Sequence, residues 1–173
     1  MLALALFAAP VRAGDLPKAG DMLPELRFQA PDAAGDGQYL GLDSNRPFTL
    51  DEVDAELIMF EIVGVYCPVC FEQAPTLNSL FKQLRRDPVL GAKVKVLGLA
   101  SGVTPMEIQA MRDNQKARYP VIGDLEFVIH EQLGSPKTPF TILVRPDGSV
   151  LDTHLGAIQD KGAFLRKLSS LVP

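Results

Sequence analysis

Hydrophobic and polar positions divide this chain into alternating strand and helix patterns. LIMFEIV, residues 57–63, is apolar on both faces except at Glu61, as in a central strand covered on both sides. Phe71, Ala74, Leu77, Phe81 and Leu84 then recur at helical spacing, and Asp87-Pro88 closes that helix. VKVLGLA, residues 94–100, predicts a second buried strand. Thr104 and Pro105 supply the cap and first turn of a helix reaching about Lys116. Residues 120–124 read as a short strand and turn, and residues 125–133 as a short helix ended by Gly134. Residues 140–144 and 150–156 predict two strands joined by Pro146-Asp147-Gly148, a strong turn signal. Asp160 caps a last helix, with Phe164, Leu165, Leu168 and Leu171 on its buried side. The segment from about Asp15 to Ala55 is rich in Gly, Pro and Asp and predicts an extended lead-in with room for one hairpin. The order β-α-β-α-β-α-β-β-α predicts a three-layer α/β domain: a central mixed sheet, a late β-hairpin and helices on both faces.

Length and charge narrow the function. A chain of 173 residues can bury the core of one domain. Its net charge of −4 and lack of a Lys/Arg run argue against nucleic acid and against an anionic membrane surface as partners. The opening residues, MLALALFAAPVRAG, differ from the rest: Leu2 to Ala9 is an apolar run too short to span a bilayer. We read residues 1–14 as the remnant of a secretory signal, with a hydrophobic tail as the plainer reading, and residues 15–173 as the domain. Export, to the periplasm or beyond, would set the cysteines in an oxidising compartment.

The chain has two cysteines, Cys67 and Cys70, in the stretch VYCPVC. A disulfide between them would close too small a loop to stabilise much, so a staple is a poor use of the spacing. A structural zinc site needs four ligands. No second cysteine pair exists, and His130 and His154 stand at no ligand spacing. The context favours a redox pair. Cys67 follows a buried strand and precedes an amphipathic helix, where free N–H groups and the helix dipole stabilise a thiolate. Pro68 suits the first helical position. Cys70 lies one turn on and should be less exposed, suited to resolve a mixed disulfide formed by Cys67.

Around this pair the sequence resembles the thioredoxin superfamily, and more closely its exported TlpA/ResA-type proteins. AGDMLPELRFQA resembles that group's lead-in, and FTLDEVDAELIMFEIVGVYCPVC its loop, central strand and active-site helix start. YPVIGD resembles the segment after its inserted helix, and TPFTILVRPDGSVLDTHLG its cis-proline strand, turn and final hairpin. The resemblance implies a thioredoxin fold and thiol–disulfide oxidoreductase activity with Cys67 as nucleophile and Cys70 as resolving thiol. It makes Pro139 the cis-proline beside them, with the backbone at Thr138 exposed to pair with a substrate chain. Glu61, six residues before the first cysteine, takes the place of the buried acid in thioredoxins. Desolvation should raise its pKa and suit it to accept a proton from Cys70, the plain alternative being a structural Glu. Tyr66 and Pro68 are further candidates for substrate contact. No bound cofactor is implied. The partners would be protein disulfides or dithiols and a redox partner protein, which can be membrane-bound, and the expected state is a monomer.

There are departures. Tyr66 stands where the family commonly has Trp, and the chain contains no Trp. The Pro68-Val69 dipeptide does not decide between oxidant and reductant, since related pairs span roughly −120 to −270 mV. CPVC also resembles the T-P-V-C stretch of peroxiredoxins, which would make Cys70 a peroxide-attacking thiol. That family's preceding proline and active-site arginine find no match here. A third possibility is a non-catalytic thioredoxin-fold binding or chaperone module, or a heme- or metal-delivery partner.

Overall fold

The computed structural model describes residues 9–10, 14–33 and 35–172. The segment read as a signal remnant lies outside the described residues except for Ala9, Pro10 and Gly14. Two short strands, β1 (Ala9–Pro10) and β2 (Asp21–Met22), pair in parallel. The lead-in continues through a short helix α1 (Asp36–Leu40) and a 3-10 turn at Leu50–Glu52, with an antiparallel bridge between Phe28 and Phe48. There follow β3 (Leu57–Val63), α2 (Pro68–Arg86), α3 (Leu90–Lys93), β4 (Val94–Ser101), α4 (Pro105–Gln115), β5 (Val121–Asp124), α5 (Val128–Gln132), β6 (Phe140–Val144), β7 (Val150–Leu155) and α6 (Lys161–Leu171). The main sheet runs β5-β4-β3-β6-β7; β3, β4 and β5 are parallel, whereas β6 runs antiparallel to β3 and β7 to β6. The predicted mixed sheet with its late hairpin is present.

Strand β3 is central and buried throughout, which explains why its sequence is apolar on both faces. Leu57, Met59 and Val63 join a core with residues of α2, α4 and α6, including Leu77, Leu80, Ile108 and Leu168. Ile58, Phe60 and Ile62 face the other way, onto Leu26, Phe28 and Phe48 of the lead-in and Ile129 of α5. The Gly/Pro-rich lead-in therefore covers one face of the sheet, where its rings stack (Phe28 on Phe48, centroids 5.2 Å apart). By the alternation of β3, Glu61 belongs to the face covered by α2.

The helix after the cysteines buries Ala74, Leu77 and Leu84 of the expected stripe and half-buries Phe81, but leaves Phe71 outside. Its buried residues are Cys70, Gln73, Ala74, Leu77, Leu80 and Leu84, while Phe71 is 44 % exposed. The buried face is the expected stripe turned slightly toward Cys70, Gln73 and Leu80. The helix also runs through Pro75, which leaves the Phe71 carbonyl without its usual donor. The predicted helix at 125–133 shrinks to α5, and Leu125, Phe127 and Val128 lie exposed ahead of or at its start. No helix among the described residues is long and apolar enough to cross a membrane.

Candidate active site

Strand β3 ends at the mouth of the site, and a three-residue loop, Gly64 to Tyr66, delivers Cys67 as the N-cap of α2. Cys67 has extended backbone (φ −86°, ψ 111°), and its Sγ accepts the Cys70 N–H at 3.1 Å. This contact satisfies one of the helix's free donors and puts a positive dipole end on the sulfur. Pro68 occupies the first helical turn and is exposed. Both cysteines are free; Cys67 is partly buried and Cys70 is 2 % exposed. Burial first, then the hydrogen bond from Cys67, pushes the Cys70 thiol up to about 12. At neutral pH Cys70 is therefore a protonated thiol held behind Cys67.

The loop before β6 closes the other side. The Thr138–Pro139 peptide bond is cis, and the Cys67 thiol donates to the Thr138 carbonyl at 3.3 Å. This approach depends on Gly64. A Cβ there would lie 3.0 Å from Thr138 Oγ1 and 3.1 Å from Cys67 Cβ, tighter than ordinary contact. A side chain at this position must shift the Thr138 hydroxyl or the Cys67 side chain by a few tenths of an ångström. Sequence reasoning passed over Gly64; its only signal was a glycine between a buried strand and a helix N-cap.

Glu61 is fully buried on β3, six residues before Cys67. Its Oε1 receives the Gln73 amide, and its Oε2 pairs with the Thr141 hydroxyl at 2.5 Å. Gln73 Oε1 in turn accepts the Ile158 N–H at 2.8 Å, tying α2 to the approach of α6. Desolvation outweighs these hydrogen bonds and raises the Glu61 carboxyl to about 8. Tyr119, also buried, is shifted upward chiefly by burial and belongs to the same core cluster as Cys70. Gly98, opposite Glu61 on β4, makes room: a Cβ there would lie 3.1 Å from the Tyr119 ring. Gln73, Thr141 and Tyr119 went unnoticed in the sequence, because a buried amide or hydroxyl has no periodic signature.

Tyr66 is 79 % exposed beside Cys67, and its hydroxyl donates to Glu107 Oε1 at 2.6 Å. Glu107 also completes the capping box of α4 with Thr104. The Tyr66 hydroxyl and then the Thr104 donors hold its carboxyl down to about 2. Among the described residues no three His, Cys, Asp or Glu side chains come together as a metal site. His130 and His154 rest on backbone carbonyls, of Pro136 and Ala157 respectively, each at 3.1 Å.

Comparison with solved structures gives these elements a common frame. The thioredoxin domain of a thiol-disulfide oxidoreductase from Bacteroides vulgatus matches 92 % of this chain and all of its own, with a TM-score of 0.67 at 12 % identity. A secreted Mycobacterium tuberculosis disulfide oxidoreductase homologous to Escherichia coli DsbE covers 84 % of the chain and 95 % of its own, at TM-score 0.62 and 16 % identity. The chain has the thioredoxin fold. StoA from Bacillus subtilis shares that fold over 86 % of this chain and 96 % of its own, with a TM-score of 0.60 at 11 % identity. In sequence the chain is similar to the thiol-disulfide oxidoreductase ResA of Halalkalibacterium halodurans, 20 % identical over 112 residues. That match takes in 65 % of this chain and 61 % of ResA. No family model matches. The cysteine loop and the cis-proline loop meet beyond the end of β3, and Glu61 lies buried two residues inside that end.

Proposed function

We propose that this protein is an exported thiol–disulfide oxidoreductase that exchanges electrons with protein disulfides or dithiols through Cys67 and Cys70. The observation that carries the reading is the contact of Cys67 Sγ with both the start of α2 and the Thr138 carbonyl of the cis-proline loop. The attacking sulfur and a backbone segment able to pair with an extended client chain are thus side by side. Residues 15–173 would form the working domain, behind a signal remnant at residues 1–14, and act as a monomer without bound cofactor. The similarity to ResA and the shared fold support the activity.

In the reducing direction, the Cys67 thiolate attacks one sulfur of a client disulfide. The client S–S bond breaks, and the released client thiolate takes up a proton. Cys70 then gives its proton to Glu61 and attacks Cys67 within the mixed disulfide, expelling the second client thiolate. The client gains two electrons, the pair becomes a disulfide, and a redox partner protein restores the dithiol. Glu61 serves as the base in its ionised form, whose share grows as pH rises toward about 8 and which is a stronger base than an ordinary carboxylate, so resolution through it should quicken over that range. Tyr66 and Pro68 are exposed and Thr138 half-buried, and these three would contact the client; Pro139, expected as a contact, is buried and would act by fixing the Thr138 backbone. Cys70, buried and with its pKa raised, is poorly suited to attack peroxide, which weighs against the peroxidase alternative.

The test is insulin-type disulfide reduction by the wild-type chain, together with isolation of mixed disulfides on Cys70→Ser. Turnover and a captured client are expected. Silence in both would support the non-catalytic binding module instead.

A further inference from the structure

At the opposite end of α2 from the cysteines, about 21 Å along the helix axis from Cys67 to Phe81, the surface opens into a cavity of about 470 Å³. Phe81 contributes an apolar wall, and the rim carries Lys82, Arg85, Arg86, Lys116 and Arg118. These five cations come from two separated stretches of a chain whose net charge is −4, so no run in the sequence announces them. None of the five makes an ion pair among the described residues. Arg85 and Arg86 have a local reason to be present, since they complete the last turn of α2 and complement the helix dipole. Lys116, at the C-cap of α4, shares that reason, whereas Lys82 and Arg118 lie outside the last helical turns.

The rim is also held in place. Asn78 Nδ2 donates to the Gln115 carbonyl at 2.8 Å, and Asn78 Oδ1 accepts the Arg118 N–H at 3.2 Å. The two stretches that carry the charges are thereby tied across the cavity. Lys116 adopts left-handed backbone (φ 55°) at the C-cap of α4, a position where glycine is favoured. The ring behind the charges is buttressed: Phe81 packs edge-on against Tyr39 and Tyr119, at centroid distances of 5.4 and 6.2 Å. Five like charges around one concavity repel one another in the free protein, and a multiply charged anion would relieve that repulsion. Guanidinium forks match phosphoryl oxygens bidentately, while the ring and the lysine and arginine stems offer apolar contact.

We propose that this cavity binds a phosphorylated group carried on an apolar body, at a site separate from the cysteine pair. The shared chemistry could come from a soluble phosphate ester or from an anionic lipid headgroup.

The probes are inorganic phosphate, phenyl phosphate, and vesicles of phosphatidylcholine with or without phosphatidylglycerol. Amide shifts of the full chain are followed by NMR for the soluble probes, and co-sedimentation for the vesicles. Phenyl phosphate should bind saturably, shift the Asn78, Phe81 and Arg118 amides, and bind about fivefold or more tighter than inorganic phosphate because its ring packs on Phe81. Lys82→Glu with Arg118→Glu, two exposed positions, should weaken it about tenfold or more while insulin reduction stays at the wild-type rate. Saturable binding of phenyl phosphate without vesicle binding assigns a soluble ester. Binding confined to phosphatidylglycerol vesicles, and lost in the double variant, assigns a lipid headgroup. The proposal is overturned by no binding in either arm or by binding that the double variant leaves intact. Tighter binding of poly-glutamate than of phenyl phosphate, or loss of insulin reduction in the folded double variant, would overturn it as well.

Discussion

Replacing Glu61 by Gln isolates the energetics of the buried acid. In the native state this carboxyl keeps its proton to about pH 8, whereas in the unfolded chain it releases it near 4.5. Between those values the native state binds one more proton than the unfolded state, so stability falls as pH rises, by about 1.4 kcal/mol per pH unit. The folded pKa is raised, and the contribution is accordingly complete below pH 4.5 and lost as pH climbs through 8. Integrated over that window the loss is roughly 4–5 kcal/mol, a large share of a typical domain's stability. Gln has the shape of the protonated acid and cannot ionise. Its carbonyl can accept the Gln73 amide, and its NH₂ can donate to the Thr141 hydroxyl, so the network survives. Urea unfolding followed by far-UV circular dichroism, with a reductant keeping both cysteines as thiols, would be run from pH 4.5 to 8.5. The two proteins should be nearly equal at pH 4.5, and Glu61→Gln should be more stable by about 4 kcal/mol near pH 8. A difference that stays within about 1 kcal/mol across the range would refute the assignment of Glu61 as a desolvated, proton-holding carboxyl.

Four further outcomes follow from the geometry. Glu61→Gln should also slow resolution of a preformed mixed disulfide above neutral pH, measured by quenched mass spectrometry; an unchanged rate across pH removes Glu61 from the proton step. Gly64→Ala must displace Thr138 Oγ1 or Cys67 by a few tenths of an ångström, so insulin reduction should fall while the circular dichroism spectrum is retained. Leu80→Ala should cost about 2–5 kcal/mol, whereas Phe71→Ala on the exposed stripe should cost well under half as much, both read by urea unfolding. Tyr66→Phe removes the hydroxyl on Glu107, and NMR titration should find the Glu107 pKa raised from about 2 toward the ordinary carboxylate range.

The sheet and its helices were legible because their cues are local and periodic. LIMFEIV could only be a strand covered on both faces, and Thr104-Pro105 and Asp160 announced helix starts that the structure uses as caps. The cysteine pair and Thr138-Pro139 were legible as short motifs. What escaped the sequence depends on contacts between distant segments. Phe71 and Leu80 both fit a helical stripe, and the choice between them rests on how α2 docks. Gly64 matters because Thr138, far along the chain, comes to rest against it. Gln73 and Thr141 flank Glu61 from a helix and a strand that no periodicity links. The basic cavity gathers Lys82, Arg85 and Arg86 with Lys116 and Arg118 only once α2 and the end of α4 are side by side. The lead-in was the least legible part. Its composition signals turns, yet Leu26, Phe28 and Phe48 join the core on one face of the sheet from within them.

The division of labour between the two sulfurs is tested most directly by mass spectrometry of covalent adducts formed by the two single-cysteine variants. Each would be incubated with a peptide containing one disulfide. Cys70→Ser should accumulate a stable peptide adduct on Cys67 within seconds to minutes, while Cys67→Ser, with its remaining thiol buried, should stay unmodified over the same time. Equal adduct yields from the two variants, or faster trapping on Cys70, would contradict the account.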